Sequence, residues 1–223
     1  KKRNLQTQLE AMAERLAIVI KMTDEELMKA VHDGDHTAYK TLVNSHIKSV
    51  SRCAYRILGN RNDAADICQE TFLRVWLHPE KWEPKKSKLA TWLYKITYNL
   101  CVDQLRKYRK NSYVSDPQKE FEEILQSTDA EEIHSTIKHR RLNFALMMLP
   151  EYQRSALTLC HYSGFSNKEA AEIMNVSVRA LESSLARARR SLKKVLSDPS
   201  EINFGAGYSS NYLEKTNTEK SLL

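Results

Sequence analysis

The stretch SNKEAAEIMNVSVRALESSLARARR, residues 166–190, predicts a short helix, a tight turn and a longer helix. Ser166 is a preferred helix N-cap, and Glu169 three residues later completes a capping box. The adjacent alanines that follow, starting at Ala170, are small enough for a second helix to pack closely against the first. Ser177 then caps the longer helix. This order of elements is that of a helix-turn-helix.

The longer helix of this motif carries a polar and basic face. Guanidinium and ammonium groups can engage phosphates, and an arginine can bind guanine with two hydrogen bonds. Because the caps, the small contact residues and the basic residues agree, we predict that this helix binds DNA. The alternative is a helical hairpin whose basic face is merely solvated. The polar residues of the face are Arg179, Ser183, Ser184, Arg187, Arg189, Arg190, Lys193 and Lys194.

Outward from this motif, the sequence predicts a helical domain over residues 137–197, in which Pro150 occupies the first turn of a helix. Residues 111–136 before it are acidic. Between Asp116 and Glu132 seven residues are acidic and one is basic. We interpret 111–136 as a flexible, solvated linker. Alternatively, this acidic segment keeps the chain off DNA or lies in a basic channel of a partner.

Residues 23–110 show helical apolar spacing almost throughout, which predicts an antiparallel helical bundle. Gly59 marks the end of one of its helices. The chain has only 5 glycines and 5 prolines, which favours an all-α fold of two small helical domains joined by the linker. Residues 1–22 are an N-terminal extension in which Met22 resembles a natural start, and 198–223 are a polar tail that we expect to be flexible.

The second basic cluster lies at residues 85–110, where eight residues are basic and only Asp103 is acidic. Cations that hold a backbone, together with rings that stack on unpaired bases, are typical of single-strand binding. The alternative is that Trp92 belongs to the core and the lysines are solvated. The interleaved aromatic residues are Trp92, Tyr94, Tyr98 and Tyr108.

An acidic face is predicted on the helix that begins near Asn62. Asp63, Asp66 and Glu70 share one side by three- and four-residue spacing. Paired carboxylates could suggest acid–base catalysis or a metal site, but no histidine stands at ligand spacing from them, so we expect no metal. The face either docks a basic partner or is simply solvated.

Composition narrows the class of protein further. The net charge is +7, which favours an anionic partner. None of the four cysteines is in a C-x-x-C pair, so we expect them to be buried free thiols of a protein in a reducing cytoplasm. The sequence contains no run of about 20 apolar residues, so we expect no membrane insertion. No nucleophile–base–orienter set or glycine-rich phosphate loop is visible, so we expect neither an enzyme nor a cofactor.

Several motifs in order resemble the extracytoplasmic-function type of RNA polymerase sigma factor. GDHTAY (34–39), DICQETFLRVW (66–76) and TWLYKITYN (91–99) resemble region 2 of that family. LPEYQR (149–154) and ARAR (186–189) resemble region 4. The resemblance covers roughly residues 24–110 and 140–196.

The resemblance implies a subunit that carries polymerase to promoters and has no chemistry of its own. Region 2 would bind the clamp coiled coil of the polymerase β′ subunit and melt the −10 element around a flipped base. Region 4 would recognise the −35 element and contact the β flap. An anti-sigma factor is a further expected partner. The implied polymerase-binding residues are Asp66, Gln69 and Glu70; those for the −10 element are Lys88, Trp92, Lys95, Asn99, Asp103, Arg106 and Lys107; those for the −35 element are Arg154, Lys168, Arg179, Ser183, Ser184 and Arg187.

Glu182 departs from the family pattern, in which a basic residue is common at this position. A carboxylate there would repel phosphate but could accept a hydrogen bond from a cytosine amine, so the −35 sequence stays open. The alternative function is a stand-alone helix-turn-helix regulator with a helical sensor domain, which would need neither polymerase docking nor single-strand affinity.

Overall fold

The protein was analysed as a computed structural model that describes residues 22–110, Leu142 and residues 145–197. Every regular element within these ranges is helical, which confirms the all-α prediction. The first domain contains α1 (Asp24–His32), α2 (His36–Leu58), α3 (Arg61–Leu77), a 3-10 helix (Pro79–Lys81) and α4 (Leu89–Lys110). The second contains α5 (Glu151–Leu157), a π-helix (Thr158–Tyr162), α6 (Asn167–Met174) and α7 (Val178–Ser197). The predicted linker at 111–136, the tail at 198–223 and residues 1–21 lie outside the described residues.

Local capping chemistry sets the helix boundaries of the first domain. The N–H of Glu26 donates to Thr23 Oγ1 at 3.3 Å, and the N–H of Thr23 donates to the Glu26 carboxylate at 2.8 Å. α2 ends at Gly59, whose φ of +83° is readily adopted only by glycine. Asn60 then accepts the N–H of Asp63 at 2.9 Å and caps α3. The chain therefore leaves one helix and enters the next within two residues.

The core of the first domain lies between α2, α3 and α4. Leu42, Ile57 and Leu93 are completely buried there. Two buried hydroxyls, those of Thr71 and Thr97, lie 3.3 Å apart where α3 meets α4, and each reaches the carbonyl four residues earlier at 2.8 to 2.9 Å. Each hydroxyl donates its single proton within its own helix, so the contact between α3 and α4 buries both without an unsatisfied donor.

The second domain contains the predicted helix-turn-helix. The Ser166–Glu169 capping box is present, with the N–H of Ser166 donating to the Glu169 carboxylate at 3.0 Å. Asn175 ends α6 with a φ of +53°, and Ser177 accepts the N–H of Ala180 at 3.2 Å to cap α7. The π-helix before α6 was not predicted, because its apolar pattern continues that of α5.

The two domains pack directly against each other, an arrangement that the sequence did not predict. The Tyr94 ring of α4 meets Phe165 edge-on, with centroids 4.7 Å apart. Arg56 lies over the Tyr162 ring at 4.4 Å. A continuous cluster of buried side chains includes residues from both domains. Across the helices that the structure describes, we find no segment long and apolar enough to span a membrane.

Candidate nucleic-acid interface

A polar pocket lies between the 83–88 loop and the start of α4. Trp82 anchors the loop, because its side chain is buried and its ring N–H donates to the Ser87 carbonyl at 3.1 Å. The cavity has a volume of about 290 Å³. It is lined by Lys81, Glu83, Lys86, Ser87, Thr91, Trp92, Lys95 and, from the second domain, Glu172. The recess is polar, with three lysines and two glutamates, of which Lys86 and Glu83 are paired at 2.6 Å, and the Trp92 ring lies at its wall.

The residues expected to contact the −10 element form a stripe along α4. Steps of three or four residues put them on one face of the helix. Trp92 and Lys95 are half-buried at the pocket, whereas Asn99, Asp103 and Arg106 continue along the exposed side. Arg106 lies 3.5 Å from the Asp103 carboxylate. The rise along α4 from Trp92 to Arg106 is about 21 Å, which is enough to follow several nucleotides. Lys88 and Lys107 are exposed at either end.

The tyrosines of α4 do not share this face. Tyr94 and Tyr98 are about 95% buried and lie against the second domain. Burial raises the pKa of both phenols above the ordinary value. Tyr108 is half-buried and accepts a hydrogen bond from Gln104 at 3.0 Å. The expectation that Tyr94 and Tyr98 stack on bases is therefore wrong for this arrangement, and Trp92 is the ring that the pocket presents.

α3 presents an amphipathic surface to solvent. Asp66 and Gln69 are exposed, and Glu70 accepts a hydrogen bond from the side chain of Arg74 at 2.7 Å. Two large apolar side chains that the sequence did not single out continue the same face. Leu73 is 48% exposed and Leu77 is 57% exposed. We call the set Asp66, Gln69, Glu70, Leu73 and Leu77 the α3 docking face. Leu73 and Leu77 follow Glu70 at steps of three and four residues, and this spacing could have placed them on the same helix face from the sequence.

The exposed side of the helix-turn-helix carries the residues expected at the −35 element. Lys168 on α6 and Arg179, Ser183 and Arg187 on α7 are exposed, while Ser184 is half-buried. Glu182 is also exposed and accepts a hydrogen bond from the Asn167 amide at 3.3 Å. The opposite side of α7 is buried, as Leu181, Leu185 and Ala188 show. The helix thus has one core face and one polar face, as the sequence predicted.

Arg154, the remaining residue expected at the −35 element, does not lie on this exposed side. Its side chain is only 8% exposed, and its guanidinium donates to the Met147 carbonyl at 3.0 Å. Burial lowers the pKa of this guanidinium, although Glu151 nearby acts in the opposite direction. In the described arrangement Arg154 is therefore not available to DNA, unlike the other residues expected at the −35 element.

The cysteines are free thiols, as predicted. Cys53, Cys68 and Cys101 are buried and Cys160 is half-buried. Burial raises the pKa of the Cys53 thiol to about 12, although the side chain of Ser163 in the second domain opposes the shift. Among the described residues no group of three histidine, cysteine or acidic side chains could hold a metal ion.

Known proteins share these features. The sequence matches the Sigma-70 region 2 family over residues 42–111 and the Sigma-70 region 4 family over residues 139–192. It is 33% identical over 159 residues to the ECF RNA polymerase sigma factor EcfG of Rhodopseudomonas palustris, covering 71% of this chain and 85% of that protein. It is 32% identical over 183 residues to the ECF RNA polymerase sigma factor SigE of Mycolicibacterium smegmatis, covering 79% of this chain and 70% of that protein.

A solved structure shows a similar fold. The sigma factor RpoE from Bartonella quintana, crystallised in complex with the anti-sigma factor NepR, is 23% identical to this chain. The match covers 72% of this chain and 98% of that one, with a TM-score of 0.56. At this identity the likeness concerns the fold.

Proposed function

Since the chain belongs to the extracytoplasmic-function (ECF) family of RNA polymerase sigma factors and serves promoter-specific transcription initiation, we propose how its domains divide the work. Residues 23–110 dock on the polymerase core and open the −10 element. Residues 137–197 bind the −35 element as duplex. The chain works in the bacterial cytoplasm beside the polymerase, needs no catalytic group of its own, and is held by an anti-sigma factor when inactive.

The observation that carries this proposal is the pocket at Trp92. A base that leaves the DNA stack costs a few kcal/mol of pairing and stacking energy, so the protein must offer a shaped site with a ring contact. Trp92 supplies the ring, and Lys81 and Lys95 supply cations for the backbone at a recess of about 290 Å³, whereas Lys86 is paired with Glu83 at 2.6 Å. The stripe from Asn99 to Arg106 extends from this recess and would follow the rest of the separated strand.

The α3 docking face supports the second part of the proposal. It combines Asp66 and Glu70, which suit a basic helical partner, with Leu73 and Leu77, which would lose solvent contact on binding. Exposed apolar side chains beside charged ones are typical of a protein interface. We propose that this face binds the β′ clamp coiled coil, while the second domain contacts the β flap.

The polar face of α7 supports major-groove binding. Arg179 and Arg187 are free of carboxylate partners among the described residues and can bind phosphate or guanine. The hydrogen bond from Asn167 holds Glu182 on the same side. We propose that Glu182 accepts a hydrogen bond from a cytosine amine in the −35 element rather than facing phosphate.

The test is reconstitution with purified polymerase core. Run-off transcription on genomic fragments is expected to yield defined start sites only when core and this chain are both present. Binding of duplex DNA without association with core would instead identify a stand-alone regulator. The variant Glu70→Gln changes the α3 docking face and leaves Arg187 on the polar face of α7. A sigma factor needs both surfaces for transcription, whereas a stand-alone regulator needs only the polar face of α7.

A further inference from the structure

Two opposite charges on one edge of α7 are held by side chains that precede this helix. Glu182 and Arg189 are seven residues apart, which is close to two helical turns, so they lie on the same edge of α7. Glu182 accepts a hydrogen bond from the Asn167 amide at 3.3 Å, and Arg189 donates to His161 Nε2 at 3.0 Å. A guanidinium has only donors, so the histidine nitrogen is the acceptor. Residues outside α7 therefore help to orient its polar face.

The orientation of the Asn167 amide is set from its other side. Asn167 is the first residue of α6, and its Oδ1 accepts a hydrogen bond from the Cys160 thiol at 3.7 Å while its Nδ2 donates to Glu182. A rotated amide would turn its carbonyl oxygen toward the Glu182 carboxylate, and the two oxygens would repel each other. Asn167 therefore presents a donor to Glu182 in one preferred orientation, between the π-helix and α7.

Glu182 has a competing partner on its own helix. Arg179 lies three residues earlier, a spacing at which a glutamate and an arginine on a helix attract each other. In the part of the chain that the structure describes, Glu182 bonds to Asn167 and no ion pair joins it to Arg179. Such a pair would occupy the carboxylate that we assign to a base and the cation that we assign to phosphate or guanine. The bond from Asn167 thus keeps both groups available to DNA.

We propose that Asn167 is a positioning residue for promoter recognition. It holds the Glu182 carboxylate where this group accepts a hydrogen bond from the cytosine amine of one C·G base pair in the −35 element. Asn167 acts through Glu182 and contacts no base itself, so the sequence preference at this position is set by α6 and α7 together. The inference rests on the proposed contact between Glu182 and cytosine.

The test uses the full chain assembled with polymerase core. The probe is a promoter fragment that gave a run-off start site, with its −35 element randomised, and the bound duplexes are sequenced. Wild type is expected to prefer cytosine at one position by about tenfold, which corresponds to one hydrogen bond to a charged group. Asn167→Ala should reduce this preference to about threefold or less, because Glu182 is then free to pair with Arg179. Asn167 is exposed, so the Tm should change little.

Two controls separate positioning from a structural role. In the Glu182→Ala background, Asn167→Ala should change the base preference no further, because no carboxylate remains to be positioned. His161→Ala removes the corresponding support of Arg189, which lies beyond the N-terminal part of α7. Since the N-terminal residues of a recognition helix contact base edges, this variant should lower the affinity for all sequences alike. An equal cytosine preference in wild type and Asn167→Ala, or an additive change in the double variant, would overturn the inference.

Failure of the proposed function gives a different pattern. Glutamine binds adenine through N6 and N7, so Glu182→Gln should replace cytosine with adenine as the preferred base at the same position. If Glu182→Gln leaves the preference at every position unchanged, Glu182 reads no base and the underlying assignment is wrong. If it changes the preferred base but Asn167→Ala has no effect, only the positioning role is refuted.

Discussion

Replacing Glu70 with lysine should weaken binding to the polymerase core by about 30-fold or more while leaving the fold intact. Glu70 is 41% exposed and its only described partner is Arg74, itself 48% exposed and four residues further on. Such a pair contributes about 0.3 to 0.5 kcal/mol, and a like-charge pair costs a similar amount, so the change destabilises the chain by about 1 kcal/mol. For a chain of this size that lowers the Tm by roughly 2 to 4 °C.

The effect on core binding should be much larger. A charge reversal at a desolvated interface costs about 2 to 5 kcal/mol, and 2 kcal/mol corresponds to a loss of affinity of about 30-fold. The assay is an equilibrium titration of labelled chain with purified core, alongside a circular dichroism melt. Glu70→Gln keeps the shape and should fall between wild type and lysine. A lysine variant that binds core within about threefold of wild type would remove Glu70 from the docking face.

Three other predictions concern the pocket, the thiols and a helix end. Trp92→Ala should reduce promoter opening, measured by 2-aminopurine fluorescence, more than binding to −35 duplex; equal losses would mean a packing role. At pH 8, iodoacetamide should label half-buried Cys160 before Cys53, whose pKa is about 12 in the fold and whose thiolate appears only as the pH approaches that value; comparable rates in peptide mapping would contradict this. Gly59→Ala should lower the Tm, since a φ of +83° costs an L-residue about 1 to 2 kcal/mol and the new Cβ would lie 2.8 Å from Met147 Sδ. Asparagine, which tolerates this φ better, should be milder, and an unchanged Tm in the alanine variant would refute the strain.

Local chemistry made the helix boundaries predictable. Ser166 and Glu169 are three residues apart, and their hydrogen bonds depend on nothing outside the motif. The same holds for Gly59, where a left-handed residue must end α2 before Asn60 can begin α3. Sequence reasoning succeeds in these places because donor, acceptor and backbone conformation lie within one turn of each other.

The faces of α4 were harder to predict. Trp92 and Tyr94 are two residues apart, which is about 200° around a helix, so they point to opposite sides. Composition alone places both in one aromatic cluster, yet Trp92 borders the pocket and Tyr94 meets Phe165, 71 residues away along the chain. A helix that packs against its own bundle on one side and a second domain on another has two apolar stripes. If the sequence is searched for only one apolar stripe, the residues of the second stripe, such as Tyr94, are taken for functional residues.

The ion pair of Lys88 with Glu169 contributes little to the packing of the two domains. Lys88 is 79% exposed and Glu169 is 27% exposed, so solvent and salt screen their ion pair, which contributes at most about 1 kcal/mol. Separation does not disturb α6, since Ser166 still bonds Glu169 in its capping box. The domains are also joined by the ion pair of Arg109 with Glu151 and by apolar contacts such as that of Tyr94 with Phe165. Salt should therefore weaken the Lys88–Glu169 pair before it separates the domains, because screening acts on exposed charges and not on the buried contact of Tyr94 with Phe165.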